Sequence, residues 1–253
     1  MFCMPYNPAT AGNCLGIPYM DHAETDLNPR YERGTLQEVY EMIGKDIEAG
    51  IPLIDDTAYS VPKYHFNYKA ACCFASRYYL FMQDWDNAIK YATMALTSNP
   101  SSLLRDYNAI AALPNGTSRH QEYVNSASTA NFLLQAATSN SGLLFDWYST
   151  AGRYSHGKLQ GIYETVQPKK GGPWGSSVTF KAPHAVLASS GKYVLPRTWR
   201  VFQYTDPVAG TGFNKAISVL FTSEEALLNR AEAYIMKMNE DPVSYTHLTL
   251  PTN

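Results

Sequence analysis

The sequence lacks the features that mark several common classes of protein. Only 17% of its 253 residues are charged and the formal net charge is -2, which argues against binding nucleic acid through bulk positive charge. No run of apolar residues approaches the ~18 that a membrane-spanning helix requires. The sequence has no P-loop, no G-x-S-x-G, no H-E-x-x-H and no dinucleotide fingerprint. We therefore expect no nucleic-acid partner and no cofactor.

Cysteine is scarce, and its four positions do not form a metal-binding pattern. They are Cys3, Cys14, Cys72 and Cys73, with no C-x-x-C and no histidine at zinc-ligand spacing from a cysteine pair. Cys72 and Cys73 are neighbours in a predicted helix, so their side chains point about 100° apart. We expect buried, unreactive thiols and no metal site.

Two adjacent pairs of carboxylates are the features that an enzyme such as a glycoside hydrolase would use. Glu224 and Glu225 fall in the first turn of a predicted helix, where acidic side chains stabilise the helix dipole. Asp55 and Asp56 lie in a predicted turn. Neither pair requires a catalytic explanation, and we expect a protein without enzymatic activity.

The clearest structural signal is a predicted helical hairpin between Phe66 and Pro100. Its first helix covers about residues 68–82 and mixes small with large side chains, which allows a second helix to approach closely. Asp84 is placed to cap the second helix, and Pro100 ends it. An apolar stripe at helical spacing follows the cap: Trp85, Ala88, Ile89, Ala92, Ala95 and Leu96. This layout is typical of a tetratricopeptide (TPR) pair, whose repeat is roughly 34 residues.

Two further helices are predicted to stack on this pair, because one pair cannot bury both of its faces. The first begins at Thr35, where Thr35 and Glu38 form a capping box. The second covers Ser223 to Met238, with Ser223 as its cap. Its predicted apolar side is formed by Ala226, Leu227, Ala231, Tyr234, Ile235 and Met238. Between these helices, residues 122–135 indicate a short strand or turn followed by buried chain.

Residues 141–215 have a different character, with more Gly, Ser and Pro and little helical periodicity. Binding sites often lie in loops held on a rigid scaffold, and this segment is rich in aromatic residues. The candidates for an exposed aromatic platform are Trp147, Tyr148, Trp174 and Trp199. Residues 141–204 also contain eight basic and two acidic residues. This bias permits an anionic ligand, with Arg153, Arg197 and Arg200 as charge partners, or simply balances acidic helices elsewhere.

Three segments together resemble the SusD/RagB family of outer-membrane nutrient-binding lipoproteins. The first combines the leader Leu15-Gly16-Ile17-Pro18 with the helix that starts Thr35-Leu36-Gln37-Glu38-Val39-Tyr40. The second runs from Lys69-Ala70-Ala71 to Asp84-Trp85-Asp86-Asn87-Ala88. The third is Glu224-Glu225-Ala226-Leu227-Leu228-Asn229-Arg230-Ala231-Glu232-Ala233. All three are packing motifs, and the resemblance covers roughly residues 15–240.

The resemblance implies a mainly α fold, a TPR-like helical scaffold (an α-α superhelix) that carries a loop-rich, irregular ligand-binding region. We expect one partial domain over residues 1–242, with the scaffold at 31–100 and 220–240 and the loop-rich region at 101–219. Residues 243–253 resemble a non-native tail. The family's signal peptide, lipidated cysteine and C-terminal part have no counterpart here, so we expect a fragment.

The resemblance also implies a function. Family members bind oligosaccharides on the outer face of the outer membrane, where a lipid anchors them, and deliver them to a SusC-like TonB-dependent transporter barrel. Aromatic faces suit the C–H faces of sugar rings, which agrees with the predicted platform. Two alternatives stay open: a peptide-binding member of the same family, and a TPR-type scaffold for protein interaction.

Overall fold

The computed structural model describes residues 3–25, 27–97, 99–141, 185–187, 192–194 and 198–240. The chain divides into two compact units. Unit 1 contains residues 1–58, 67–100 and 224–253, and unit 2 contains residues 59–66 and 101–223. The expectation that both form a single domain stays a prediction.

Unit 1 begins with a helix whose start is set by local hydrogen bonds. Helix α1 spans Leu36–Gly50. The Thr35 side chain accepts from the Glu38 amide, and the Glu38 carboxylate accepts from the Thr35 amide, so the predicted capping box is confirmed. The helix buries Leu36, Val39 and Ile47 on one side.

The predicted helical hairpin is confirmed with close agreement at its ends. Helix α2 spans Tyr68–Met82 and helix α3 spans Trp85–Leu96. Gln83 turns the chain with a left-handed backbone (φ 63°), and the Asp84 side chain accepts from the Asn87 amide to cap α3. Small residues are fully or almost fully buried on both helices, which lets the two backbones approach closely: Ala70, Ala71, Ala75, Ala88, Ala92 and Ala95.

The last described helix differs from its prediction in which side it buries. This helix spans Ser223–Glu240, and Ser223 is its first residue. Ala226 of the predicted apolar side is buried, together with Asn229 and Ala233, which were not predicted. The later residues of the predicted side are exposed, with Ile235 58% and Met238 47% accessible. Ala226 and Ala233 are small, so the buried side of the helix can pack closely. The helix also makes polar contacts with other residues of unit 1. Arg77 Nε donates to Glu225 Oε1 at 2.5 Å, and Lys237 pairs with Asp86.

Unit 2 contains two short α-helices and all of the described strands. Helices α4 and α5 span Tyr107–Ala112 and Gly116–Tyr123, capped by the side chains of Asp106 and Asn115. The strands are β1 (Asn131–Thr138), β2 (Ala185–Leu187), β3 (Lys192–Val194), β4 (Thr198–Asp206) and β5 (Thr211–Thr222). We number the Ser223–Glu240 helix α6.

The strands form a three-stranded antiparallel sheet in the order β1-β5-β4 and a separate β2-β3 hairpin. The strand expected near residues 122–135 exists as β1, while β4 and β5 occupy chain that was expected to be irregular. Residues 215–222 of β5 pair with β1, which lies far from β5 in sequence, as with Ala137 opposite Ala216. The mainly α fold is confirmed, with this sheet as an addition. No helix in the described ranges combines the length and apolar character needed to cross a bilayer.

Candidate functional site

The β4–β5 hairpin of unit 2 carries the aromatic side chains that form the candidate site. Its turn is built by Asp206, whose carboxylate accepts from the amides of Val208 at 2.9 Å and Ala209 at 3.0 Å. Gly210 completes the turn with φ +68°, a conformation that favours glycine. The hairpin end therefore has a defined shape, set by local hydrogen bonds.

Two aromatic rings lie together on one face of this hairpin. Phe202 and Tyr204 are two residues apart in β4, so they point to the same side of the sheet. Their rings meet edge to face, with centroids 4.9 Å apart and planes at 77°. Gly212, opposite Tyr204, makes room for them, because a Cβ there would lie 2.9 Å from the Phe202 ring and 2.2 Å from the Gln203 carbonyl oxygen. We call Phe202 and Tyr204 the hairpin pair.

The hairpin pair is exposed although its backbone is held in the sheet. Phe202 is 40% accessible and Tyr204 57%. The segment Val201–Asn214 contains one charged side chain, that of Asp206, and this carboxylate accepts the turn's hydrogen bonds. The amide group of Asn214, opposite Phe202, lies on the same face of the sheet. The surface is thus aromatic, almost uncharged and edged by groups that both donate and accept hydrogen bonds.

The start of β4 is anchored inside unit 2 by a histidine. His120 of α5 is fully buried, and its Nδ1 lies 3.0 Å from the Thr198 carbonyl oxygen. Because a carbonyl oxygen only accepts, Nδ1 is the protonated nitrogen. Thr198 directly precedes Trp199, so this bond fixes the backbone beside the one predicted tryptophan that lies in the described residues.

A second buried network fixes the start of β1. The amide of Asn131, which is fully buried, accepts from Arg105 Nη2 at 2.6 Å and donates to the carbonyls of Tyr123 and Asn125. Arg105 also donates to the Tyr123 carbonyl at 2.8 Å, and its guanidinium lies 4.1 Å from the centroid of the Tyr123 ring. Since β1 pairs with β5, this network supports the strand that carries Gly212.

Of the five predicted site residues, the structure places Trp199 alone. It lies in β4, is partly buried, and is opposite Ile217 on the face of the sheet away from the hairpin pair. Trp147, Tyr148, Arg153 and Trp174 lie outside the described residues, as does Arg197. The sequence analysis did not propose Phe202 or Tyr204. Phe202 and Tyr204 are two residues apart, and this spacing in the sequence could have indicated a strand with both rings on one face.

The residues considered for other chemistry have structural partners. Glu225 pairs with Arg77, Asp55 accepts from Thr57, and Asp56 accepts from the Tyr68 amide at 2.9 Å. Burial raises the pKa of the Cys72 thiol to about 11, which keeps it in its unreactive neutral form. Within the described ranges, no three His, Cys, Asp or Glu side chains cluster in a way that would hold a metal ion.

Comparison with known proteins finds a family model that matches the first part of the chain. Residues 1–80 match the family model SusD-like_3, described as "Starch-binding associating with outer membrane". No curated protein sequence matches the chain.

Two solved structures resemble the fold. A SusD superfamily protein from Bacteroides vulgatus is 19% identical with a TM-score of 0.50, and covers 92% of this chain and 49% of its own. A SusD-like protein from Bacteroides fragilis is 14% identical with a TM-score of 0.52, and the match covers 90% and 55% of the two chains. The chain thus spans about half the length of these structures. Residues 1–80 are thus similar to a SusD-like family model, and the fold of the chain resembles that of SusD superfamily proteins.

Proposed function

We propose that the protein binds neutral oligosaccharides at the cell surface without catalysis and delivers them to a TonB-dependent outer-membrane transporter. The observation that carries this proposal is the hairpin pair, two rigid and exposed aromatic rings on an almost uncharged hairpin. The family model supports it, because its description names starch binding and association with the outer membrane.

The chemistry of a sugar ring fits this surface. One side of a pyranose presents C–H groups, which pack on an aromatic face, and its hydroxyls both donate and accept hydrogen bonds. The hairpin pair supplies the aromatic faces, and Asn214, opposite Phe202 on the same face, supplies a side-chain amide. Because the only charge between Val201 and Asn214 belongs to the turn, the ligand expected here is neutral.

The remaining predicted residues belong to the same proposal. Trp147, Tyr148 and Trp174 are candidates for further aromatic contacts with the oligosaccharide, and Arg153 for a polar one. A lipid anchor and a SusC-like transporter barrel are the proposed partners, and the outward face of the outer membrane is the proposed location.

Calorimetric titration with maltoheptaose, a linear starch fragment, tests the proposal. The full chain is compared with Tyr204→Ala, and with Phe81→Ala as a control, since Phe81 is 61% exposed on α2. Loss of one stacking contact is worth about 1 kcal/mol, so Tyr204→Ala should weaken binding at least about fivefold while Phe81→Ala leaves it unchanged.

A panel of cellohexaose, an anionic oligosaccharide and a mixture of short peptides extends the test. Binding of peptides alone would move the assignment to the peptide-binding alternative. Equal affinities of the Tyr204→Ala variant and the unaltered protein for the best sugar would contradict the role of the hairpin pair. Hydrolysis of the sugar during the titration would contradict the absence of catalysis.

A further inference from the structure

Unit 2 has a second aromatic surface that is exposed to solvent. It is formed by the segment Tyr59–Phe66, which precedes α2 and has the sequence YSVPKYHF. Tyr59 is 41% accessible, Tyr64 38% and Phe66 48%, and His65 is also exposed. Isolated exposed aromatics are common, but several on one short segment point to a binding role.

The centre of this surface is a stacked pair of rings. The centroids of Tyr59 and His65 are 3.9 Å apart and their planes differ by 10°. Stacking uses one face of each ring, so the opposite face of Tyr59 is the flat surface on which a ligand would lie. The phenol hydroxyl of Tyr59 stands at the edge of the same pair, where it can bond to a polar ligand.

The segment is held rigidly, which lowers the entropy cost of binding. A short 3-10 helix spans Pro62–Tyr64 and has proline as its first residue. The His65 amide donates to the Pro62 carbonyl at 2.9 Å. Lys63 donates to the Ser128 carbonyl. The ring of Phe66 meets that of buried Phe221 edge to face, with centroids 6.2 Å apart.

We propose that the Tyr59–His65 stack is a carbohydrate subsite that binds one or two neutral sugar rings. The size of the surface favours a small ligand, since eight residues are far fewer than the roughly 20–30 per side of a stable protein interface. Its charge favours a neutral ligand, because the one lysine in the segment donates to a backbone carbonyl. The inference rests on the proposed function, and adds a contact surface separate in sequence from the hairpin pair.

Local and global measurements together test the subsite on the full chain. The local signal is the imidazole resonance of His65 in a ¹H–¹³C spectrum, assigned by its loss in His65→Gln and followed during titration with maltoheptaose. We expect this resonance to shift and saturate, while that of His120, fully buried in the same unit, stays in place. Tyr59→Ala should raise the midpoint of the remaining His65 shift at least about threefold. Tyr31→Ala is the matched control, because Tyr31 is a 37% exposed tyrosine of unit 1 and should leave the midpoint unchanged.

The outcomes separate this inference from the function on which it rests. If calorimetry detects sugar binding while the His65 resonance does not move, the subsite is wrong and the proposed function stands. An equal effect of Tyr31→Ala and Tyr59→Ala would also overturn the subsite, since the loss would then be unspecific. If neither maltoheptaose nor cellohexaose gives a calorimetric signal, the proposed function fails and the subsite fails with it.

Discussion

The contact between Gly44 and Tyr78 predicts that Gly44→Ala destabilises the unaltered protein but stabilises a variant in which Tyr78 is replaced by phenylalanine. Gly44 is buried in α1, and a Cβ at this position would lie 2.7 Å from the Tyr78 hydroxyl oxygen of α2. The next nearest atom of that ring, Cζ, would be 3.4 Å away, which is an ordinary van der Waals contact. An alanine at position 44 would therefore clash with one atom, the Tyr78 hydroxyl oxygen, and would fit if that atom were removed.

The expected free energies follow from this geometry. Alanine in place of a helical glycine stabilises a helix by about 1 kcal/mol. Overpacking against the Tyr78 hydroxyl costs about 1–3 kcal/mol, and displacing the ring loses its hydrogen bond to the Tyr40 carbonyl, worth about 1 kcal/mol. Gly44→Ala should thus lower the free energy of unfolding by about 1–3 kcal/mol in the unaltered protein.

Removal of the hydroxyl should reverse this result. Tyr78→Phe alone should cost about 1 kcal/mol, because the Tyr40 carbonyl keeps its usual partner within α1. In the Tyr78→Phe background, Gly44→Ala should raise the free energy of unfolding by about 0.5–1 kcal/mol, since the helix gain remains and the clash is gone. The two substitutions should therefore couple by about 2 kcal/mol or more.

Urea unfolding followed by circular dichroism at 222 nm measures all four proteins. Gly50→Ala serves as the control, because nothing lies within 4 Å of a Cβ there and the change should be neutral or mildly stabilising. If Gly44→Ala has the same cost with Tyr78 and with phenylalanine at position 78, the close approach of α1 and α2 at this point is refuted.

Three further predictions concern buried groups. Burial raises the pKa of Tyr78 from its ordinary value of 10.0 to about 12, so its contribution to stability is complete below pH 10 and is lost as the pH rises towards 12. Tyr78 should contribute about 1.4 kcal/mol per pH unit to the loss seen in urea unfolding, so the loss should be smaller by this amount in Tyr78→Phe, while Tyr79, whose pKa is also raised by burial, keeps its own share. Ellman's reagent should modify exposed Cys3 in the native protein and reach buried Cys72 only after unfolding. Asn131→Ala should lower the free energy of unfolding by about 2–4 kcal/mol, since it deprives the buried guanidinium of Arg105 of an acceptor.

The helices were predictable because their limits depend on nearby residues. The capping box of Thr35 and Glu38 starts α1, and Asp84 starts α3, through hydrogen bonds that span three residues. The 3.6-residue spacing of small and large side chains is equally local, which explains why α2 has the predicted ends. The side that α6 buries was not predictable in this way, because it depends on the shape of the surface that receives the helix.

The sheet was harder to predict because its strands pair across long separations. Ala137 of β1 lies opposite Ala216 of β5, and no pattern within either segment identifies the other as its partner. The exposed half of β4 also has polar and apolar residues without the clean alternation of a strand that buries one face. Composition indicated loops there, whereas backbone pairing with β5 produced a strand.

The candidate site depends both on local sequence and on long-range strand pairing, so aromatic content alone identified only part of it. Trp199 and Tyr204 belong to the same aromatic segment, yet Trp199 is partly buried against the sheet and Tyr204 is 57% exposed. The difference arises from the register, which places Tyr204 opposite Gly212, a residue without a side chain to cover it. A glycine that cannot carry a Cβ for steric reasons thereby leaves an aromatic face open to solvent. In this hairpin, the residue that fixes the backbone differs from those that we propose to contact the ligand, so the exposed rings can be replaced at little cost in stability while the glycine cannot.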